Sequence, residues 1–332
     1  METRKIYLTG GSTYVVSLPK KWVTNAGLKR GDSVSVTMQE GSILIEPGAV
    51  EKGHSEMEIK VSQVSSTEAL ERLIISYYLV GYDTIKIKLD RKEHLDYKES
   101  IRKILNFLIG VEIVEDTGDS VTIEILLDHE RMPTIQVLKR SYMINKSMLA
   151  DVIKAFREGD AKLLGDVIVR EGEIDRLYFL VVRQLKSAVR YQQVAEKLGI
   201  THQRDSLGYR IVVKSFERIG DHIENIAKSG LQLIEKKQSI ERFEGLAARV
   251  LEVYEKAAGA LFKQDVNMVD GVFDDLKEIE KMYLKISNSL FQQKMGVQAS
   301  LLQKTVLDSL SRISGYSADI AEIAINMSVR VP

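Results

Sequence analysis

SFERIGDHIENIAKS, residues 215–229, decides how the C-terminal half is read. Phe216, Ile219, Ile223 and Ile226 recur at i, i+3, i+7 and i+10, the seam that one face of an α-helix buries against its neighbours. Glu217, Asp221 and Asn225 stand four apart. At about 100° per residue that row drifts by only about 80° and falls opposite the seam. It is therefore expected on an outer face and not in a core. Gly220 costs a helix interior about 1 kcal/mol relative to Ala and is expected to leave room beside the acids. Such a row of oxygen donors admits two readings. It can hold a hard metal ion, or it can be a ladder of exposed ion pairs with Lys214 and Arg218, each worth about 0.2–0.5 kcal/mol.

Upstream, REGEIDRL sets Glu171 and Asp175 four apart on what reads as the preceding helix, with Gly172 between them. Nearly everything after Pro133 has helical period. About six helices follow, ending near Phe156, Val189, Leu233, Phe262, Gln293 and Met327. The two halves repeat weakly. AFREGD (155–160) is matched by ALFKQD (260–265), and that shift of 105 takes Ile174 to Ile279, Asp175 to Glu280 and Tyr178 to Tyr283. In the third helices Arg218-Ile219 matches Arg312-Ile313 at a shift of 94. The eleven-residue difference assigns an extra segment, about 190 to 204, to the first half. The expected architecture is an all-α pair of three-helix bundles, 133–236 and 239–328, within a helical domain over 133–330. The second copy departs from the acidic row. Its matching positions are Ser311, Gly315 and Asp319, and Leu276 stands where the first copy has Glu171. That weakens a second metal site.

ERIGDHIENIA resembles the signature of the PhoU family of phosphate-uptake regulators, and EGEIDRL resembles that family's preceding-helix pattern. The resemblance spans about 133 to 328. It implies tandem three-helix bundles that couple phosphate transport to gene control, with metal ions on such acidic rows in some members. Carried over by position, the implied ligands of a divalent or trivalent metal are Glu217, Asp221 and Asn225, with Glu171 and Asp175 as further candidates. The row does not distinguish Fe, Mg, Zn and Ni.

The N-terminal 48 residues read differently. TRKIYL and TYVVSL are short strands around Gly10-Gly11, and Pro19 suits the first turn of a helix, KKWVTNAG. SVSVTM and SILIEP make a hairpin around Glu40-Gly41. The phrase GSTYVVSLPKKWVTNAGLKRGDSVSV followed by GSILIEP resembles the AbrB-like family of swapped-hairpin DNA-binding domains. That resemblance implies an intertwined homodimer, a swapped-hairpin β-barrel, with basic loops set on DNA. Arg4, Lys5, Lys20, Lys21, Lys29 and Arg30 against Glu2, Asp32, Glu40 and Glu46 leave +2 per copy, compatible with phosphate contacts. Arg4, Lys5, Ser12, Thr13, Lys20 and Lys21 are the candidate DNA face. The alternative is a basic-rimmed module that only dimerises.

Between these parts, residues 55–129 run β-α-β-α-β-β, a small two-layer sandwich. Spacing, dimerisation and ligand binding all remain open for it. The whole is a multidomain α+β chain of 332 residues with 44% hydrophobic and 28% charged residues, long enough for real cores. Lys+Arg and Asp+Glu are both 47, so any electrostatic partner must meet a local patch. With no Cys, thiolate metal sites and Cys nucleophiles are excluded. Glu51 and His54 are i, i+3, but Gly53 between them argues against a Glu-x-x-His metal site. No apolar leader or spanning stretch is seen, so a cytoplasmic protein without membrane insertion is expected.

No acid/base constellation of a catalytic site is legible, so an enzyme is not expected. The two resemblances together imply a transcriptional regulator of phosphate uptake. It would bind DNA through its N-terminal dimer and sense transport state through the helical half, with the ATPase of a phosphate transporter as a partner. The alternative is an adaptor that never touches DNA and inhibits the transporter.

Overall fold

A computed structural model describes residues 2–39, 41–47, 55–89, 94–127, 132–292 and 296–329. The turn residue Glu40 and the pair Glu51 and His54 lie outside the described residues. The chain divides into two compact units, Met1–Ser55 and Glu56–Pro332.

In the first unit β1 (Ile6–Thr9) pairs antiparallel with β2 (Thr13–Val16), and β3 (Val34–Gln39) with β4 (Ser42–Pro47). A short helix α1 (Lys20–Asn25) follows Pro19. Gly10 and Gly11 both have positive φ, 62° and 83°, which a tight hairpin needs and a side chain resists. The expected swapped-hairpin β-barrel is not formed. The two ribbons are separate two-stranded sheets, and among the described residues no sheet closes. Two strands leave both ribbon edges unpaired and supply too few side chains to fill an interior. No described residue of this unit is buried; Ile6 is 68% exposed and Tyr14 74%.

The second unit begins with a four-stranded sheet. Its strands β5 (Glu56–Lys60), β6 (Thr84–Lys88), β7 (Val111–Asp116) and β8 (Ser120–Ile125) stand in the order β5-β6-β8-β7. Only β5 and β6 are parallel, joined across helix α2 (Thr67–Val80). Ser66 accepts from the Ala69 amide and starts α2; Gly81, at φ 109°, ends it. Helix α3 (His94–Leu105) packs beside α2 on one face of the sheet, over Ile85, Ile87 and Ile123.

The rest is helical. α4 (Thr134–Glu158), α5 (Ala161–Arg190) and α7 (Asp205–Glu235) form the first triplet; α8 (Glu244–Lys263), α9 (Asn267–Gln292) and α10 (Val297–Ser328) form the second. A short α6 (Gln192–Lys197) fills the segment that only the first triplet has. The seam Phe216, Ile219, Ile223 and Ile226 is fully buried, and one core runs through both triplets. Among the described residues no helix is long and apolar enough to cross a membrane.

The sheet layer and the bundle are joined by a buried cation. Arg183 of α5, 3% exposed, donates Nη1 to the carbonyls of Tyr78 (2.6 Å) and Tyr82 (2.9 Å) at the end of α2. Its guanidinium lies 5.1 Å from the Tyr78 ring centroid, and Asp83 is 3.5 Å away. Burial pushes the Arg183 pKa down, opposed by Tyr78 and Asp83.

Candidate functional site

Helices α5 and α7 pack side by side, and Gly220 is one of the places where they meet tightly. A Cβ there would meet Ile174 Cγ2 and Asn145 Oδ1, each at 3.3 Å. The glycine therefore serves the packing and does not make room beside the acids. It also lets the buried Asn145 of α4 donate its side-chain amide to the Phe216 carbonyl, 2.7 Å away.

That close approach draws three carboxylates together. Glu171 and Asp175 of α5 and Asp221 of α7 offer oxygens that all lie within 4.8 Å of one another. All three are partly buried, so the acidic row is not on the open outer face expected from the periodicity. Burial, with Asp175 and then Glu224 and Asp221 as like charges, pushes Glu171 up to about 7. Burial, with Glu217 and Asp221, pushes Asp175 up to about 6. Asp221 is raised by burial and Glu217, against the lowering effect of Lys214. Three acids whose ionisation burial and mutual repulsion disfavour form a site that a cation would relieve.

Glu217 stands at the edge of this cluster. One of its oxygens accepts from Lys214, while Oε2 is buried without a hydrogen-bond partner. An orphaned buried carboxylate oxygen is costly unless something binds it. The residues thus fit a hard cation: oxygen donors, no thiolate, excess negative charge and an unsatisfied ligand atom. The cluster is able to coordinate a metal ion, with Glu171, Asp175 and Asp221 as the donors brought together.

The ion-pair ladder is half present. Lys214 pairs with Glu217, but Arg218 turns over the Tyr316 ring, 5.5 Å from its centroid. Asn225 is not brought into the cluster; it is exposed and lines a different groove with His222. Tyr178 is a residue that the sequence reading does not single out for the site, although it caps the cluster's basic rim. Its ring lies 5.0 Å from Lys214 Nζ, and its hydroxyl accepts from Arg210 Nη2 at 2.9 Å. Its only sequence signal is the repeat, which pairs it with Tyr283.

In the first unit Arg4, Lys5, Ser12, Thr13, Lys20 and Lys21 are all exposed. Arg4 pairs with Glu2 at 2.5 Å; among the described residues Lys5, Lys20 and Lys21 make no ion pair.

Comparison with known proteins agrees with this division. The PhoU domain family matches residues 138–230 and 243–324, one match per helical triplet. The chain belongs to the PhoU domain family. The family described as "Antidote-toxin recognition MazE, bacterial antitoxin" matches residues 7–52, which relates the first unit to the MazE and AbrB swapped-hairpin superfamily. A "Phosphate-specific transport system accessory protein PhoU homolog" from Caulobacter vibrioides (strain NA1000 / CB15N) is 27% identical over 194 residues, 54% of this chain and 80% of that protein. The homolog of the same name from strain ATCC 19089 / CIP 103742 / CB 15 matches to the same extent. The crystal structure of PhoU from Pseudomonas aeruginosa superposes with a TM-score of 0.51 at 20% identity, covering 58% of this chain and 94% of that one. That likeness shows the helical fold. The family is one of non-catalytic regulatory proteins, and the chain is not an enzyme.

Proposed function

We propose that the chain is a DNA-binding regulator of phosphate uptake whose helical half reads the state of a phosphate transporter. The observation that carries this reading is the joining in one chain of a MazE-related module at 7–52 to a PhoU domain pair at 138–324. The curated relatives are named accessory proteins of a phosphate-specific transport system, which supports the regulatory half. For the other half, exposed Lys5, Lys20 and Lys21, which make no ion pair among the described residues, supply the cations that phosphate contacts need, beside Arg4, Ser12 and Thr13.

Two chains meet through the N-terminal ribbons in this reading. The pairing puts Ile6, Leu8, Tyr14 and Val16 on one face and Tyr7 and Val15 on the other, all exposed. Apolar residues on both faces of a two-stranded ribbon need a partner. The protein acts in the cytoplasm, where DNA and the transporter's ATPase are both within reach. A metal at Glu171, Asp175 and Asp221, with Glu217 beside them, would tie α5 to α7 and hold the bundle in one state.

The test is genome-wide mapping of bound sites with and without phosphate, for the whole chain and for a Lys20→Ala/Lys21→Ala variant. Sites upstream of transport genes that the double variant loses support the reading. In vitro, the slope of log affinity against log salt should shrink by about 0.9 for each DNA phosphate that the variant chain no longer neutralises. Absence of any bound site, with transport still altered by deleting the gene, would replace this reading with the adaptor that acts on the transporter alone.

A further inference from the structure

The two triplets are copies, so each feature of one has an address in the other. The shifts of 94 and 105 carry Lys214 to Asp308, Glu217 to Ser311, Arg218 to Arg312, Asp221 to Gly315 and Tyr178 to Tyr283. The structure keeps the frame in both. As Tyr178 accepts from Arg210, so Tyr283 takes Lys304 Nζ at 3.0 Å, and Arg210 and Lys304 are themselves 94 apart. The side chains differ: Glu171 gives way to Leu276, Glu217 to Ser311 and Asp221 to Gly315, Lys214 is replaced by Asp308, and Glu280 stands for Asp175. At the address of Tyr178, Lys214, Glu217 and Arg218, beside the counterparts of the clustered acids, the second copy has an open groove of about 590 Å³, lined among others by Asn225, Tyr283, Asp308, Ser311 and Arg312.

The charge balance of this groove is positive. The one carboxylate among its described lining residues, Asp308, is already matched: Lys304 pairs with it, and the Tyr283 hydroxyl donates to it at 2.9 Å. Arg312 is exposed and makes no ion pair among the described residues. Arg218 is likewise unpaired and lies over Tyr316, on which His222 stacks at 5.8 Å between ring centroids. Around Arg312 are neutral groups able to donate: the Asn225 amide, the Ser311 hydroxyl and Ser309, whose Oγ lies 3.3 Å from His222 Nδ1. An uncompensated guanidinium with amide and hydroxyl donors is the chemistry that recognises a tetrahedral oxyanion.

We propose that the groove between α7, α9 and α10 binds a small oxyanion of the phosphate class, with Arg312 as its charge partner and Asn225, Ser309 and Ser311 as donors. One ancestral frame thus carries a cation-type site in the first triplet and an anion-type site in the second. This does not depend on whether the chain touches DNA, and the test is independent of DNA.

The test is calorimetric titration of the full chain, stripped with chelator, with inorganic phosphate at low ionic strength. The expected result is saturable binding of one phosphate per chain. It should weaken by roughly tenfold or more in Arg312→Glu, be competed by sulfate, and persist in Glu171→Gln/Asp221→Asn. Because Arg312 is exposed, its variant should melt with the parent, which circular dichroism checks. No saturable binding in the millimolar range overturns the site. So does binding that survives Arg312→Glu, which places the anion elsewhere. Binding that vanishes in the acidic-cluster variant also overturns it, since the anion would then be riding on a residual metal.

Discussion

Glu171 and Asp175 are ionisable groups that folding makes harder to ionise. Their folded pKa values, about 7 and about 6, lie above the ordinary 4.5 and 3.8. The folded state therefore holds more protons than the unfolded state across that interval, and stability falls as pH rises through it. Stripped of metal, the protein should lose melting temperature between about pH 4 and pH 7, and Glu171→Gln should flatten that slope. Added divalent metal should raise the melting temperature more at pH 7.5 than at pH 5.5, because it competes with protons for the same oxygens. A metal effect equal at both values, or no effect of Glu171→Gln on the slope, would separate these acids from any cation site. These residues are legible in the sequence as an i, i+4 pair, but their burial is not. Periodicity reports what a helix turns away from its own seam; it does not report a neighbouring helix that arrives from the other side.

Helix α7 shows this at the scale of an element. Its seam of Phe216, Ile219, Ile223 and Ile226 is readable from spacing alone and is wholly buried. The row Glu217, Asp221, Asn225 is readable too, but its destination is not. α7 packs against α4, α5 and α10, so little of its circumference is left to solvent. The row's drift of about 80° takes it from the α5 side, where Glu217 and Asp221 face the cluster, to the α9 and α10 side, where Asn225 lines the other groove. Gly220 favours this arrangement, because a Cβ there would already press on Ile174 and Asn145 at 3.3 Å. Gly220→Leu should destabilise the fold by about 1–3 kcal/mol through overpacking, read by denaturant unfolding. It should also loosen metal retention by spreading α5 from α7. A variant as stable as the parent would show that the two helices separate freely.

For the whole molecule, the tandem triplets follow from the internal repeat, and the segment 190–204 that breaks the repeat holds α6. The barrel does not follow. A family pattern seen in one short stretch implies a closed sheet, yet the chain makes two open ribbons with no buried residue among those described. Strand order and closure depend on pairing between distant strands, which local alternation does not encode. Nor can the sequence show that the small sheet layer and the helical bundle share one unit, since the residue that joins them, Arg183, looks like any surface cation on a helix.

That arginine has a consequence for how the molecule comes apart. Its guanidinium serves carbonyls in the sheet layer from a helix of the bundle, so neither part can melt without stranding charge or polar backbone in the other. Residues 56–329 should unfold in calorimetry as one transition. Arg183→Ala, by leaving buried carbonyls unserved, should cost about 1–3 kcal/mol and split the endotherm in two. A single endotherm that survives the substitution would assign the cooperativity to the apolar packing of α2 against α5 instead.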